Sequence, residues 1–181
     1  MERKLATIRK ISDIRAIKDA DNIELAKIDG WQVVIAKKDN FKIGDLCIYC
    51  EIDSILPDIP TFEFLRSKKF RIKTVKLKGE LSQGIVFPIS LLSEFSYFGL
   101  IEEDTDVTDV LGIIKYEPPT PTELSGIAKG NFPALIPKTD EERCQNILGM
   151  LDKYKNQEIE FVATEKLDGT SVTYAIINNE F

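Results

Sequence analysis

The chain contains no histidine, and that absence excludes several large classes of chemistry. Ser-His-Asp and Cys-His nucleophiles, phosphohistidine transfer and every His-ligated metal site are ruled out. Acid–base work falls to Lys, Asp, Glu, Tyr or Cys. Cysteine is scarce as well. Cys47, Cys50 and Cys144 are too few for a disulfide framework, so a reducing, cytoplasmic location is the expectation. Cys47 and Cys50 have C-x-x-C spacing but lie in the apolar run Leu46–Ile52, which reads as a strand. Residues three apart on a strand point to opposite faces, so buried small side chains fit better than a metal or redox pair. No apolar run reaches the roughly 18–20 residues of a membrane span. Residues 1–7 carry charge with no apolar stretch behind them, unlike a signal peptide. No membrane partner is expected.

What remains is an ordinary globular composition over 181 residues, with 24 basic and 30 acidic side chains and a net charge of −6. That length suits one large domain or two small ones. Charge is unevenly distributed: residues 1–115 hold 18 basic and 19 acidic residues, whereas 116–181 hold 6 and 11. The shift coincides with Tyr116-Glu117-Pro118-Pro119-Thr120-Pro121-Thr122, the composition of a stiff linker. The expected organisation is a first domain over 1–115, a Pro-rich lead-in over 116–138, and a second domain opening at 139 and cut short at 181.

The first stretch reads as short strands: Ala6–Ile11, Glu24–Ile28, Trp31–Lys37, Leu46–Ile52, Phe70–Leu77 and Gly84–Pro88, with Asp29-Gly30 as a turn and a helical turn over Thr61–Ser67. Many short strands with little helix predict a mainly β protein with some α, its first domain a small closed OB-like barrel. Closure would remove exposed sheet edges. In the second stretch Thr139-Asp140-Glu141-Glu142 is a capping box. Cys144, Ile147, Leu148 and Leu151 then recur at helical spacing. Glu158–Thr164 and Val172–Ile176 alternate as strands.

Between those two strands stands Glu165-Lys166-Leu167-Asp168-Gly169-Thr170-Ser171. Asp168-Gly169 alone would suit a hairpin turn. In a helix–strand–motif–strand context, the Lys-x-Asp-Gly element resembles the nucleotide-binding lysine motif of covalent nucleotidyltransferases, which include DNA ligases, RNA ligases and mRNA capping enzymes. The resemblance implies that Lys166 is the nucleophile that takes a nucleotide on its amine. A free lysine amine, with a pKa of about 10.4, is protonated and must be activated. A divalent cation on the phosphates disfavours the ammonium and offsets charge at phosphorus. Asp168 would hold hydrated metal or orient Lys166, Gly169 would let the backbone approach the nucleotide, and Glu165, Thr170 and Ser171 would complete the pocket.

Phe132–Asn146, with Lys138-Thr139-Asp140-Glu141-Glu142-Arg143-Cys144-Gln145-Asn146 at its end, is similar to the segment before the lysine in the RNA ligase family that carries an N-terminal OB-like domain. Gly44-Asp45-Leu46, Glu51-Ile52-Asp53-Ser54, Phe62-Glu63-Phe64-Leu65-Arg66 and Lys73–Gly79 also resemble that N-terminal domain. The resemblance implies an α+β nucleotidyltransferase domain after the barrel, ATP and Mg²⁺ or Mn²⁺ as cofactors, and RNA with 5′-phosphate and 3′-hydroxyl ends as partner. It also implies nucleotide-facing roles for Arg143, Gln145 and Asn146, each of which would equally suit a solvated helix face. The family's later motifs have no counterpart before Phe181, so this stretch alone is expected not to complete ligation. The competing class is a binding module without catalysis, because Asp19–Leu25 and Leu77–Val86 resemble tRNA-binding OB domains. A DNA ligase or capping enzyme fits less well, since the OB-like domain comes first.

Arg66–Lys78 holds seven basic residues and no acid. It suits either a phosphate track through Lys69, Arg71, Lys73 and Lys76, with Phe70 for stacking, or a solvated strand with Phe70 in the core. Trp31 reads as a core or domain-contact side chain. Glu51 and Asp53, two apart on one strand face, suit a polar inter-domain contact better than a metal site.

Overall fold

The strands are β1 (Ala6–Ala16), β2 (Ile23–Ile28), β3 (Trp31–Ala36), β4 (Leu46–Cys50), β5 (Ser54–Ile55), β6 (Val75–Leu77), β7 (Glu80–Ser82), β8 (Ile85–Pro88) and β9 (Ile114–Lys115). They were obtained in a computed structural model that describes residues 3–119, 122–124, 126–127, 136, 143–155, 157–160, 162, 165 and 176. Two compact units divide the chain. One comprises Glu2–Pro119 with Glu142–Leu148, the other Thr120–Glu141 with Gly149–Phe181.

The first unit is built on β1. Its residues Ala6–Lys10 pair antiparallel with β4, and Ile11–Ala16 pair antiparallel with β2. The register slips between Ile11 and Asp13, leaving Ser12 as the extra residue, and its Oγ donates to the Lys27 carbonyl at 2.9 Å. Such a bulge bends its strand and sharpens the twist, so one strand serves two partners and the five-stranded sheet β3-β2-β1-β4-β8 curls. Where β1 diverges from β2, its free edge is taken by the chain near Asp106: Ile8 N–H donates to Thr105 O at 2.9 Å and Val107 N–H to Ala6 O at 2.9 Å. The β3 edge of the sheet is met by the end of β7 and the residue after it, through Gln83 N–H on Gln32 O at 2.8 Å and Val34 N–H on Ser82 Oγ at 3.0 Å.

Alternation along the strands fills two apolar clusters. Ile8, Ile48 and Cys50 join Leu56, Phe62, Ile72, Val107 and Leu111 in one. Ile11, Ile28, Trp31, Val33, Cys47 and Tyr49 form the other. Cys47 and Cys50 thus enter different clusters, as strand geometry requires. Burial pushes the Cys47 thiol up to about 12 and raises that of Cys50 as well, so neither is a thiolate at neutral pH.

Three expectations are corrected. Phe70–Leu77 is not one strand. Lys69 and Phe70 both adopt left-handed backbone, with φ of 53° and 57°, at the end of the 3₁₀ helix Pro60–Lys68. The reversal drops Phe70 into the first cluster, leaves Arg71 a single bridge to Ile55, and lets β6 pair with β7 in a separate hairpin. Second, no continuous helix runs through Arg143 to Leu151. Arg143 is extended, Cys144–Asn146 is a 3₁₀ turn, Ile147 lies at φ −116° and ψ 22°, and the helix α1 (Leu148–Tyr154) begins only afterwards. The Gln145 carbonyl is taken by the Gly30 N–H at 3.2 Å instead of by a helical amide, and Cys144 is exposed. Third, Glu158–Glu160 is irregular and exposed rather than the start of a strand. Most of 161–164, and the expected strand Val172–Ile176 apart from Ile176, lie outside the described residues.

The β2–β3 turn carries a half-buried acid at φ 50°, Asp29. Burial raises its pKa; Arg9, 3.4 Å away, opposes this, while Asp104 and Glu103 add to it. A carboxyl whose folded pKa lies above its unfolded value contributes stability only while protonated, and that contribution is lost as pH rises through the folded value. Asp29→Asn, which keeps a residue tolerant of left-handed backbone, should therefore raise the urea midpoint at pH 7. The gain should shrink as pH falls through the carboxylate range.

Candidate functional site

In the first unit the short stretch 143–147 lies against the open end of β3 and β4. Trp31, the first residue of β3, is 1% exposed, and its indole N–H donates to Asn146 Oδ1 at 2.6 Å. Asn146 Nδ2 donates in turn to Glu51 Oε1 at 2.8 Å. Glu51 follows β4 and is only 4% exposed. Arg3 completes its neutralisation, with Nε at 3.0 Å and Nη2 at 2.5 Å from Oε2. A buried carboxylate survives where charge and hydrogen bonds both compensate its desolvation, and Glu51 has both. Next to it, Asp53 takes Arg71 Nη2 at 2.7 Å and lies 3.8 Å from Arg143. The Arg143 guanidinium also sits 5.6 Å from the Trp31 ring centroid. Tyr49, stacked at a tilt 6.2 Å from Trp31, donates its hydroxyl to Gln83 O, and burial drives its pKa upward.

The backbone of Gln145 is held as tightly. Besides the Gly30 N–H bond, a Cβ built on Gly30 would meet Gln145 Cα at 2.8 Å. Glycine is required there because a second stretch of chain passes over it. Glu51 and Asp53 are therefore ionic and hydrogen-bonding anchors. Among the described residues no group of three or more His, Cys, Asp or Glu side chains is placed to hold a metal ion.

The residues expected to carry the chemistry divide three ways. Lys166, Asp168, Gly169, Thr170 and Ser171 lie outside the described residues. Glu165 is exposed. Arg143 and Gln145 are brought together on the first unit, Gln145 Oε1 lying 3.4 Å from Cys144 Sγ. Asn146 turns its carboxamide to Trp31 and Glu51. As for ATP, the donor set of Arg143 and Gln145 suits phosphate oxygens in kind.

Of the basic segment, Arg66 is paired with Glu63 and Asp58 at 2.6 Å each. Glu63 is correspondingly held below the usual carboxylate range by its Arg66 hydrogen bond. Arg71 is half-buried on Asp53 and lies 3.3 Å over the Tyr116 ring, with Nε buried and unbonded. Phe70 is buried and no stacking platform. Lys69, Lys73 and Lys76 are exposed. Arg3 was not legible as a partner from the sequence. The acid Glu51 inside an apolar strand run was a signal that some cation or amide must meet it.

Residues 5–89 match the model of a family described as an OB-fold domain, which agrees with the curled five-stranded sheet. The first unit is an OB-fold domain. No curated protein matches the chain. Among solved structures the RNA ligase of Naegleria gruberi is similar. In an apo form it is 40% identical, with a TM-score of 0.69 over 86% of this chain and 47% of the ligase chain. A substituted form with AMP and Mn gives 40% identity and 0.70 over 86% and 48%. Another with ATP and Mn gives 40% and 0.68 over 83% and 46%. The chain is similar to that RNA ligase over most of its own residues, and it spans about half the length of the ligase chains it matches. Among the described residues no helix is long and apolar enough to cross a membrane.

Gly30→Ala should lift the 143–147 stretch from the sheet, at a cost of about 1–3 kcal/mol in the manner of an overpacked contact. Trp31, the single tryptophan, reports the change. Its emission should shift to the red as water reaches the indole, while far-UV circular dichroism of the β sheet stays unchanged.

Proposed function

We propose that this chain is the OB-containing portion of an ATP-dependent RNA ligase. The observation that carries the proposal is 40% identity to an RNA ligase across 86% of the chain. Lys166 is the nucleophile. Its amine attacks the α-phosphorus of ATP, a P–N bond forms, and pyrophosphate leaves, giving a lysyl-AMP. The RNA 5′-phosphate then attacks that phosphorus and frees the lysine. Finally the 3′-hydroxyl of the other end attacks the activated 5′-phosphate, forming the phosphodiester and releasing AMP. Mg²⁺ or Mn²⁺ supplies charge neutralisation at the phosphates when bound.

The chain's own residues have distinct tasks in this scheme. Asp168 orients the Lys166 amine and receives hydrated metal. Gly169 allows the close backbone approach, and Glu165, Thr170 and Ser171 line the nucleotide. Arg143 and Gln145 offer donors to it. No residue of this chain can serve Lys166 as an imidazole base, since the chain has no histidine, so what these residues contribute to its deprotonation is electrostatic. The RNA partner carries a 5′-phosphate and a 3′-hydroxyl. Its backbone meets Lys69, Lys73 and Lys76, whose side chains are exposed, while Arg71 on Asp53 and Tyr116 fixes the course of the chain between them. A reducing, cytoplasmic setting suits the three free cysteines.

The full-length protein carrying this chain should acquire an acid-labile, base-stable AMP label from α-labelled ATP and metal. Lys166→Ala should abolish the label, and Lys153→Ala should leave it intact. A label that survives Lys166→Ala refutes the assignment.

Replacing Lys69, Lys73 and Lys76 together by alanine should weaken RNA binding and flatten its salt dependence. The slope of log affinity against log salt should change by about 0.7 for each phosphate of a single strand that the variant no longer neutralises. An unchanged slope in filter-binding titrations would make these lysines solvated bystanders.

A further inference from the structure

We propose that Asn146 is a positioning residue for the nucleotide-transfer step, acting through the stretch that carries Arg143 and Gln145. Its carboxamide is oriented by two partners of opposite kind. The ionised carboxylate of Glu51 only accepts, so it requires the NH₂ end. The indole of Trp31 only donates, so it requires the oxygen end. A flipped carboxamide would set oxygen against carboxylate and N–H against N–H, so one orientation is selected. Glu51 is itself fixed by two hydrogen bonds from Arg3 and by burial. Trp31 is fixed by its place in the second apolar cluster.

The restraint passes to the neighbouring residues over a short, stiff path. Asn146 N–H donates to Arg143 O at 2.9 Å and Ile147 N–H to Cys144 O at 3.2 Å, closing the 3₁₀ turn. The Gln145 carbonyl is bonded to Gly30, whose missing side chain lets the two backbones touch. Side-chain and main-chain anchors thus fall on adjacent residues, and Arg143 is seated between the Trp31 ring and Asp53 at the other end of the turn. The OB domain on this view has a task in nucleotide chemistry as well as in RNA binding, performed by β3 and the end of β4. Lys69, Lys73 and Lys76 belong to other segments, so the two tasks are separable by substitution.

The inference rests on the ligase proposal above, and the test keeps the two apart. In the full-length protein Asn146→Asp sets a second carboxylate against Glu51 and should slow AMP labelling by about tenfold or more, the scale on which small misplacements of positioned groups act. RNA affinity should hardly change. Adding Glu51→Gln restores a donor facing an acceptor and should recover most of the missing rate. Cooperative unfolding and the Trp31 emission spectrum verify that each variant is folded. If Asn146→Asp labels at the unsubstituted rate, the inference is overturned and the ligase proposal stands. If the double variant is folded but no faster than Asn146→Asp alone, or if RNA affinity falls in step with labelling, a positioning role is likewise overturned. If the unsubstituted protein takes no label from ATP, the ligase proposal fails and the inference fails with it.

Discussion

A single buried carboxylate organises one end of the OB domain. Glu51 stands where β4 leaves the sheet, and its desolvation requires compensation from elsewhere in the chain. The compensation comes from Arg3, 48 residues earlier, and from Asn146, 95 residues later. One ionised group thereby fixes the N-terminal lead-in, the sheet and the stretch 143–147 in one compact unit. Trp31 adds the apolar half of the same seat, presenting its one polar atom to Asn146. Charge alone would leave the carboxamide free to pivot, and the indole N–H removes that freedom.

Much of the OB domain could be read from the sequence because its strands obey a period of two, each face turned to its own apolar cluster. Trp31, Val33 and Ile35 alternate inward as written, and Cys47 and Cys50 part to different clusters as strand geometry demands. The misreadings have a common cause. Phe70–Leu77 has the composition of a strand, but two successive left-handed residues, Lys69 and Phe70, break it, and neither is a glycine or asparagine that would announce the turn. The helix expected through Cys144, Ile147, Leu148 and Leu151 fails because a main-chain partner beside β3 competes for the Gln145 carbonyl. Tertiary hydrogen bonds of this kind leave no periodic trace.

The site was legible to a different degree. Arg143 and Gln145 were selected by resemblance, and their seat on the sheet follows from interactions with Trp31, Asp53 and Gly30 that reach back about 90 residues or more. Glu51 and Asp53 were legible as polar contacts, since an acid pair beside an apolar strand needs partners. Their partners were not legible, because Arg3, Arg71 and Asn146 carry no local signal distinguishing them from solvated residues. The same blindness applied to the basic run. Its composition is uniform, yet Arg66 and Arg71 are matched to Asp58, Glu63 and Asp53, whereas Lys69, Lys73 and Lys76 are left to solvent.

The division of β1 between two partner strands also governs when the domain can form. Its second half finds β2 within a few residues, a local hairpin of the kind that closes in about 1–10 μs. Its first half waits for Leu46–Cys50 on one edge and for Thr105–Val107 on the other. The earliest-made of these nine strands is therefore among the last to be completed, and pairing across about a hundred residues places such a topology among the slower folders. Until Val107 emerges, half of that strand keeps an open edge, which is where a nascent chain of this design is most exposed to pairing with the wrong neighbour.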